Sequence, residues 1–356
     1  AVSLLAVMGR VLLAGFSARQ RFDIVSMLQV GLRTGTVLVS LAALAFGVGV
    51  TGLVAILIPV YALWLAGIAL SSIGRRREDT PLSTPTPRAL ILLRDGIPMA
   101  FSGIAATAWF ALDMPMMQAI CAEMEAGYYA IGMRFMMMLF PLAEVLTTAA
   151  YPAICRAAGE GKEALSASIY AWRRVIWLLA PPIAVGGYLL AAPLTVLLAG
   201  DRFLPGAPSL GGLTVAFSFF MMIMMALTHL RATGRQREAA WIMVIAVIVK
   251  ALALGPAIFL KGDTGAIAVN VIGGGISALF LFGAGLRDWR RPDILRFLGE
   301  IGRILAATAI MALAIWPLRT ASPLVTVLIG MAVYGGAALL FGALRRRDFD
   351  SLRSIT

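Results

Sequence analysis

Three charged residues stand in apolar surroundings where they could do chemistry: Asp113 in "ALDMPMM", Arg134 in "IGMRFMMM" and Glu144 in "FPLAEV". Arg33 and Lys250 are two further cations inside long apolar runs, and Arg10 is a third. A charge at membrane depth costs at least about 2.5 kcal/mol on insertion scales, so such groups face a bundle interior, a partner or a water-filled path. Carboxylates in that setting pair with cations or take up and release a proton or sodium ion. Cations there can meet an anionic headgroup.

Asp113 lies about seven residues before the outer end of its apolar run, and Arg134 about seven residues after the start of the next. At a rise of about 1.5 Å per residue both sit about 10 Å below one surface, on antiparallel neighbours. An ion pair between them is expected. It is either a fixed bridge or one remade during a transport cycle, and Asp113 could instead take up a coupling proton or sodium ion. Glu144 follows Arg134 by ten residues, about 280° around a helix at 100° per residue, so the two could line one broad cavity without touching. It is either a proton carrier or a residue with only a structural place. Arg33 and Lys250 each fall about ten residues into their helices and would suit an anion such as a pyrophosphate, against a reading in which each has only local partners. Arg33, Arg134 and Lys250 are therefore the candidate substrate contacts, with Asp113 and Glu144 the candidates for ion coupling or gating.

The elements that must position these residues follow from composition. Of 356 residues 60% are hydrophobic and 13% charged, against about 25% charged in a soluble domain. Apolar runs of about 20 residues recur along the whole length, so the chain is an integral membrane protein. Windows of about 19 residues give about eleven candidate spans. They are too long and uniformly apolar for barrel strands, which leaves helices as the spanning element and an all-α polytopic fold class.

Alternate loops separate by charge. One set, including "GRRREDTPLSTPTPR", "HLRATGRQRE" and the tail "RRRDFDSLRSIT", holds roughly 23 of the 30 Lys and Arg; the other, including "CAEMEAG", "GDRFLPG" and "KGDTG", holds about 3. The basic set, with the C-terminus, is expected in the cytoplasm. That asymmetry accounts for the net charge of +12 without nucleic acid, which is not expected as a partner. Cys121 and Cys155 should lie at opposite membrane faces, beyond reach of a disulfide. A single His, His229, with no Cys/His cluster argues against zinc or haem. No phosphate-binding loop, HExxH or GxSxG is present, and neither a cofactor nor an enzyme activity is expected. The first apolar run is already under way at residue 1, which reads as the inner end of a helix belonging to a longer parent chain.

Residues 17–57 can be laid on residues 232–269: Arg19-Gln20-Arg21 meets Arg235-Gln236-Arg237, and Thr51-Gly52 meets Thr264-Gly265. An even number of crossings separates the two stretches, so they imply two bundles of the same orientation, related by a pseudo-twofold along the membrane normal. The alignment leaves Arg33 and Lys250 one residue out of register. The expected organisation is a partial N-terminal bundle at 1–73, a cytoplasmic linker at 74–95, a six-helix bundle at 96–286, and two additional helices with a cytoplasmic tail at 287–356.

The stretch from Leu93 to Ile154 resembles the seventh and eighth helices of the polysaccharide and O-antigen flippases, within the multidrug/oligosaccharidyl-lipid/polysaccharide exporter superfamily. The similar features are Gly96, Pro98, Asp113, Gly127-Tyr128, Arg134 and Pro152, followed by Gly200 and Phe203 in "LLAGDRFLPGAPSL" and by the turn "THLRATGRQREAA". The resemblance implies helices four to fourteen of that family, with about three N-terminal helices missing. It also implies transport of an undecaprenyl-pyrophosphate-linked oligosaccharide across a bacterial inner membrane by alternating access, for polysaccharide or lipopolysaccharide synthesis. The implied partners are the lipid-linked oligosaccharide, membrane lipids, a polysaccharide polymerase and glycosyltransferases, with the chain itself a monomer. Two rival readings stay open: a multidrug or metabolite/cation antiporter of the same superfamily, and a membrane-embedded glycosyltransferase.

Overall fold

The computed structural model describes residues 22–73, 87–319 and 322–343, with Leu5, Met8, Gly9, Leu12, Leu13 and Phe16 before them. Among the described residues every regular element is a helix. The chain divides into two compact units, Ala1–Thr86 and Pro87–Thr356. The first apolar run, Arg10, the linker residues 74–86 and the tail from 344 onward lie wholly or largely outside the described residues.

In the first unit α1 (Phe22–Ala45) and α2 (Val50–Ile73) are joined at Gly47, whose φ of 68° is the left-handed conformation that glycine adopts at no steric cost. Trp64 and Ile68 of α2 pack with Leu13, and Phe16, Leu28, Leu32 and Tyr61 close around them. Leu38, Leu41, Leu44, Val54 and Leu63 point outward, as apolar side chains do on helices solvated by lipid.

The second unit begins with α3 (Pro87–Ala111), so its first turns occupy residues expected to be linker. Proline's fixed φ suits the first position of a helix. After α3 come α4 (Asp113–Ile120), α5 (Glu123–Glu160), α6 (Lys162–Leu189), α7 (Ala191–Ala199), α8 (Ala207–Ala232), α9 (Gln236–Gly285), α10 (Arg291–Ile315) and α11 (Pro323–Leu340). Helix α8 is the axis of this unit, buried nearly all round. Small residues let the neighbours approach it. A Cβ on Gly132 of α5 would stand 2.7 Å from the Ser209 carbonyl oxygen, and Gly187 of α6 and Gly212 of α8 are similarly closed off by Thr214 and Ile267. Without a hydrophobic driving force between helices in lipid, such close backbone packing is what holds a bundle together. Hydroxyls along the way are satisfied within their own helices, as in Thr214 to the Leu210 carbonyl at 2.7 Å and Thr228 to Met224 at 2.8 Å.

Gly262 breaks α9 with φ 57° and ψ −135°. The two arms, residues 236–261 and 263–285, fold back on each other, and Lys250 and Asn270 are bonded across the hairpin at 2.9 Å. Among the described residues eight helices are long and apolar enough to cross a membrane, or nine if α6 and α7, bent by 73°, are one span. The difference from about eleven arises in two places: α9 contains two of the expected spans, and the first expected span lies largely outside the described residues. Helices α10 and α11 are pinned to α6 by an ion pair of Arg174 with Glu300 at 2.9 Å, by Tyr334 donating to the Leu178 carbonyl at 2.6 Å, and by Ser166 donating to Asp293 at 2.7 Å.

A glycine pair in α5 tests the packing. Gly132→Ala should cost about 1–3 kcal/mol by overpacking against the α8 backbone, read as a lowered unfolding temperature in detergent. Gly127→Ala, where a Cβ meets open space, should be neutral or raise it, since alanine is favoured by about 0.5–1 kcal/mol in a helix.

Candidate functional site

The span containing Asp113 is broken at Leu112, between α3 and α4. Pro115 lies two residues beyond the start of α4; it has no N–H to offer the Ala111 carbonyl and its ring crowds that oxygen, which interrupts the helical ladder although Leu112 itself keeps helical φ and ψ of −74° and −27°. The break leaves the last carbonyls of α3 in need of partners. It also puts Asp113 in the first turn of α4, where a carboxylate is favoured by the helix dipole.

Asp113 is fully buried. Its Oδ1 lies 2.7 Å from the Lys250 ammonium, and its Oδ2 accepts hydrogen bonds from the Tyr129 hydroxyl at 2.9 Å and the Asn270 amide at 2.8 Å. Lys250 also donates to the Asn270 Oδ1 at 2.9 Å and to the Trp109 carbonyl. Its ammonium stands 4.9 Å from the centre of the Trp109 ring and 5.3 Å from that of Phe110. The Asn270 amide completes its bonding on the Ala266 carbonyl at 3.0 Å. Tyr129, Asn270 and the Trp109 carbonyl thus close around one ion pair, the whole drawn from α3, α4, α5 and both arms of α9.

The expected pairing of Asp113 with Arg134 does not occur. Arg134 is exposed on α5, and among the described residues it makes no ion pair. The reason is helical phase. The buried stripe of α5 runs through Ala126, Tyr129, Met133 and Met136. Arg134 is about 140° from Tyr129 at 100° per residue, so it points away from Asp113 although the two are at similar depth. Glu144 is exposed too, one residue off the stripe at Ala143. Arg33, in the other unit, is exposed on α1, and Thr36 donates to its carbonyl at 2.8 Å. Of the four sequence candidates in the second unit, then, the structure brings together only Asp113 and Lys250.

Sequence reasoning passed over Tyr129, Asn270 and the Trp109 carbonyl. One signal was available: Asn270 is the single asparagine in the chain and sits in the apolar run "GAIAVNVIGGG". Lys250 and Trp109 also border a cavity of about 770 Å³ between the two arms of α9, lined chiefly by apolar groups such as Val249, Ile272 and Phe280.

A second polar cluster closes the other end of the unit. His229 is buried, with Nε2 3.0 Å from the Asp288 carboxylate and Nδ1 accepting from Arg173 at 3.1 Å. Arg235 joins Asp288 at 3.0 Å, Glu238 at 2.6 Å and the Ala284 carbonyl at 2.8 Å. Arg231 donates to Ser102 at 2.8 Å. Among the described residues no group of His, Cys, Asp and Glu is placed to hold a metal ion.

Double-mutant cycles distinguish the two pairings of Asp113. Asp113→Asn and Lys250→Met should each cost about 3–5 kcal/mol, with the double change costing well under their sum, because each single change strands a buried polar partner. Asp113→Asn with Arg134→Gln should be additive to within about 0.5 kcal/mol. Both follow from unfolding curves in one detergent.

A family model described as a polysaccharide biosynthesis protein matches residues 1–208, more than half of the chain. No curated protein matches the chain in sequence. Among solved structures, a lipid II flippase MurJ in its inward closed conformation is similar with a TM-score of 0.71 and 15% identity, over 97% of this chain and 72% of that one. A MOP superfamily transporter from Pyrococcus furiosus aligns with 70% of this chain and 64% of its own, at 16% identity and a TM-score of 0.46. The fold is thus shared with a flippase of known structure, and by its matching family model the chain belongs to the polysaccharide biosynthesis protein family.

Proposed function

We propose that the chain is a transporter that moves an undecaprenyl-pyrophosphate-linked oligosaccharide from the inner to the outer leaflet of a bacterial inner membrane by alternating access. Family membership and the flippase fold support this reading. The observation that carries it is Arg134, a cation well inside an apolar helix, exposed and without a counter-ion among the described residues. An unpaired guanidinium at that depth belongs to a water-filled path, where it suits a pyrophosphate by bidentate hydrogen bonding. Arg33 on α1 offers a second contact of the same kind. Lys250 is redirected in this reading, because its charge is already met by Asp113. The apolar wall between the arms of α9 suits a lipid tail.

The antiporter reading is disfavoured by Asp113, whose carboxylate is matched by an internal cation and so is not held open for an exchanged ion. In the proposed topology the arms of α9 count as two crossings, the two bundles are related by a pseudo-twofold, and the C-terminus is cytoplasmic. Glu144 stays a candidate for gating on the exposed face of α5.

In vesicles carrying a fluorescent pyrophosphate-linked glycan, Arg134→Ala and Arg33→Ala should each slow leaflet transfer by about tenfold or more, the worth of one charge-assisted hydrogen bond. Unchanged transfer by both variants would remove the anion path. Topology has its own check, since Cys121 and Cys155 are both free thiols. Cys121 should react with an impermeant maleimide from outside and Cys155 only from inside. Burial, helped by neighbouring Glu125, pushes the Cys121 thiol above its ordinary range, so its labelling should accelerate at a higher pH than that of a free cysteine.

A further inference from the structure

The chain has a single histidine, His229, and the fold holds its ring between a cation and an anion. A guanidinium keeps all its protons and has no lone pair, so in the 3.1 Å contact of Arg173 Nη2 with His229 Nδ1 the ring must accept. The one proton of a neutral ring then sits on Nε2, which donates to Asp288 at 3.0 Å. Arg173 depends on that ring. Its Nε and Nη1 are buried with no hydrogen-bond partner among the described residues, and its guanidinium carbon stands 4.6 Å from the centre of Phe282 and 5.4 Å from that of Trp289.

The charges around the ring balance only while it is neutral. Arg173 reaches it from α6, Asp288 from the 3-10 turn Leu286–Asp288, and Arg235 from the turn between α8 and α9, where Glu238 meets Arg235 at 2.6 Å. Those two cations and two carboxylates sum to zero. On α8 itself Arg231 is turned to Ser102 of α3, and from α5 the Cys155 thiol is turned to the Ala232 carbonyl. A second ring proton would therefore add an uncompensated charge and aim an N–H at the Arg173 N–H. The closed cluster leaves those two donors no room to part, since a Cβ on Gly285 would stand only 2.9 Å from the ring Nδ1.

We propose that His229 is a proton-operated latch: neutral, it joins α6 to α8 and to the segment Phe282–Arg290; protonated, it keeps Asp288 but expels Arg173, and α6 parts from that segment. The consequence reaches the last two helices. The segment carries α10 through Trp289, whose ring centre lies 5.1 Å from that of Phe297, and it is held to α6 also by the Arg290 N–H on Ser166 at 3.1 Å. The sign follows from linkage. An opened ring takes up a proton below about pH 6.5 and the closed cluster does not, so opening is favoured up to about tenfold for each unit by which pH falls. In the proposed topology this end faces the cytoplasm, and cytoplasmic acid opens the latch.

Hydrogen–deuterium exchange of the purified chain in detergent, corrected for the intrinsic effect of pH, tests this without any transport substrate and so independently of the flippase reading. Between about pH 6 and 5 the corrected exchange of Phe282–Arg290 should accelerate about tenfold in wild type, while the middle of α8 stays protected. His229→Gln offers an acceptor and a donor but does not titrate, and its exchange should be flat over the same range. Unchanged exchange of the segment in wild type overturns the proposal. So does an equal acceleration in His229→Gln, which assigns the opening to carboxylates. Being the single histidine, the ring gives a second readout that needs no variant: its nitrogen resonances should place the proton on Nε2 near pH 7.5 and show both nitrogens protonated only as the segment opens. A ring with its proton on Nδ1, or one that protonates while the segment stays closed, overturns the latch.

Discussion

The ion pair of Asp113 and Lys250 is the constraint around which the second unit is arranged. Each ion loses several kcal/mol of hydration on burial, and their attraction offsets that only when every remaining donor and acceptor is met. Here Tyr129, Asn270 and the Trp109 carbonyl meet them. The contributors come from separate helices, so completing the network requires the break at Leu112, the buried phase of α5 and the hairpin at Gly262 together. A charge that looks anomalous in an apolar helix therefore fixes the register of four others against it.

Polar groups also secure the opposite end of the unit. His229, Asp288, Arg173 and Arg235 tie α6, α8 and the end of α9, while Arg174 and Glu300 fasten α10 to α6. Between the two ends the packing is apolar and close, with Phe110, Phe140, Phe217 and Phe220 in mutual edge or tilted contact at 4.9–5.8 Å. This division suits a bundle in lipid. Burying apolar surface gains little there, so glycine-mediated contact and satisfied polar pairs take over the specification of helix partners.

Charges with no such partner among the described residues are distributed differently. Arg134 lies on the same exposed side of α5 as Met137, Met138 and Val145, and Glu144 and Arg33 are exposed on their own helices. In the proposed flippase these residues are available to cargo because nothing within their own helices claims them. The contrast between Lys250 and Arg134 is instructive. Both are cations in apolar runs, yet one is neutralised inside the fold and the other is left open.

Composition and the recurrence of apolar runs were enough to establish a polytopic helical membrane protein, because only helices satisfy their own backbone at that length in lipid. The residues between Gly96 and Glu238 were enough to point to the family. Asp113 and Lys250 were visible as residues out of place, since the cost of a charge in hydrocarbon is a property of the residue and its neighbours in sequence. Their pairing was not visible. Sequence distance favoured Arg134, 21 positions away, over Lys250, 137 positions away, and depth alone could not separate them. The phase of α5, which turns Tyr129 inward and Arg134 outward, and the fold-back of α9 at Gly262 decided the matter. Both are set by how whole helices pack, and a buried ion pair forms only where that packing brings its two charges and all their hydrogen-bonding partners to one point.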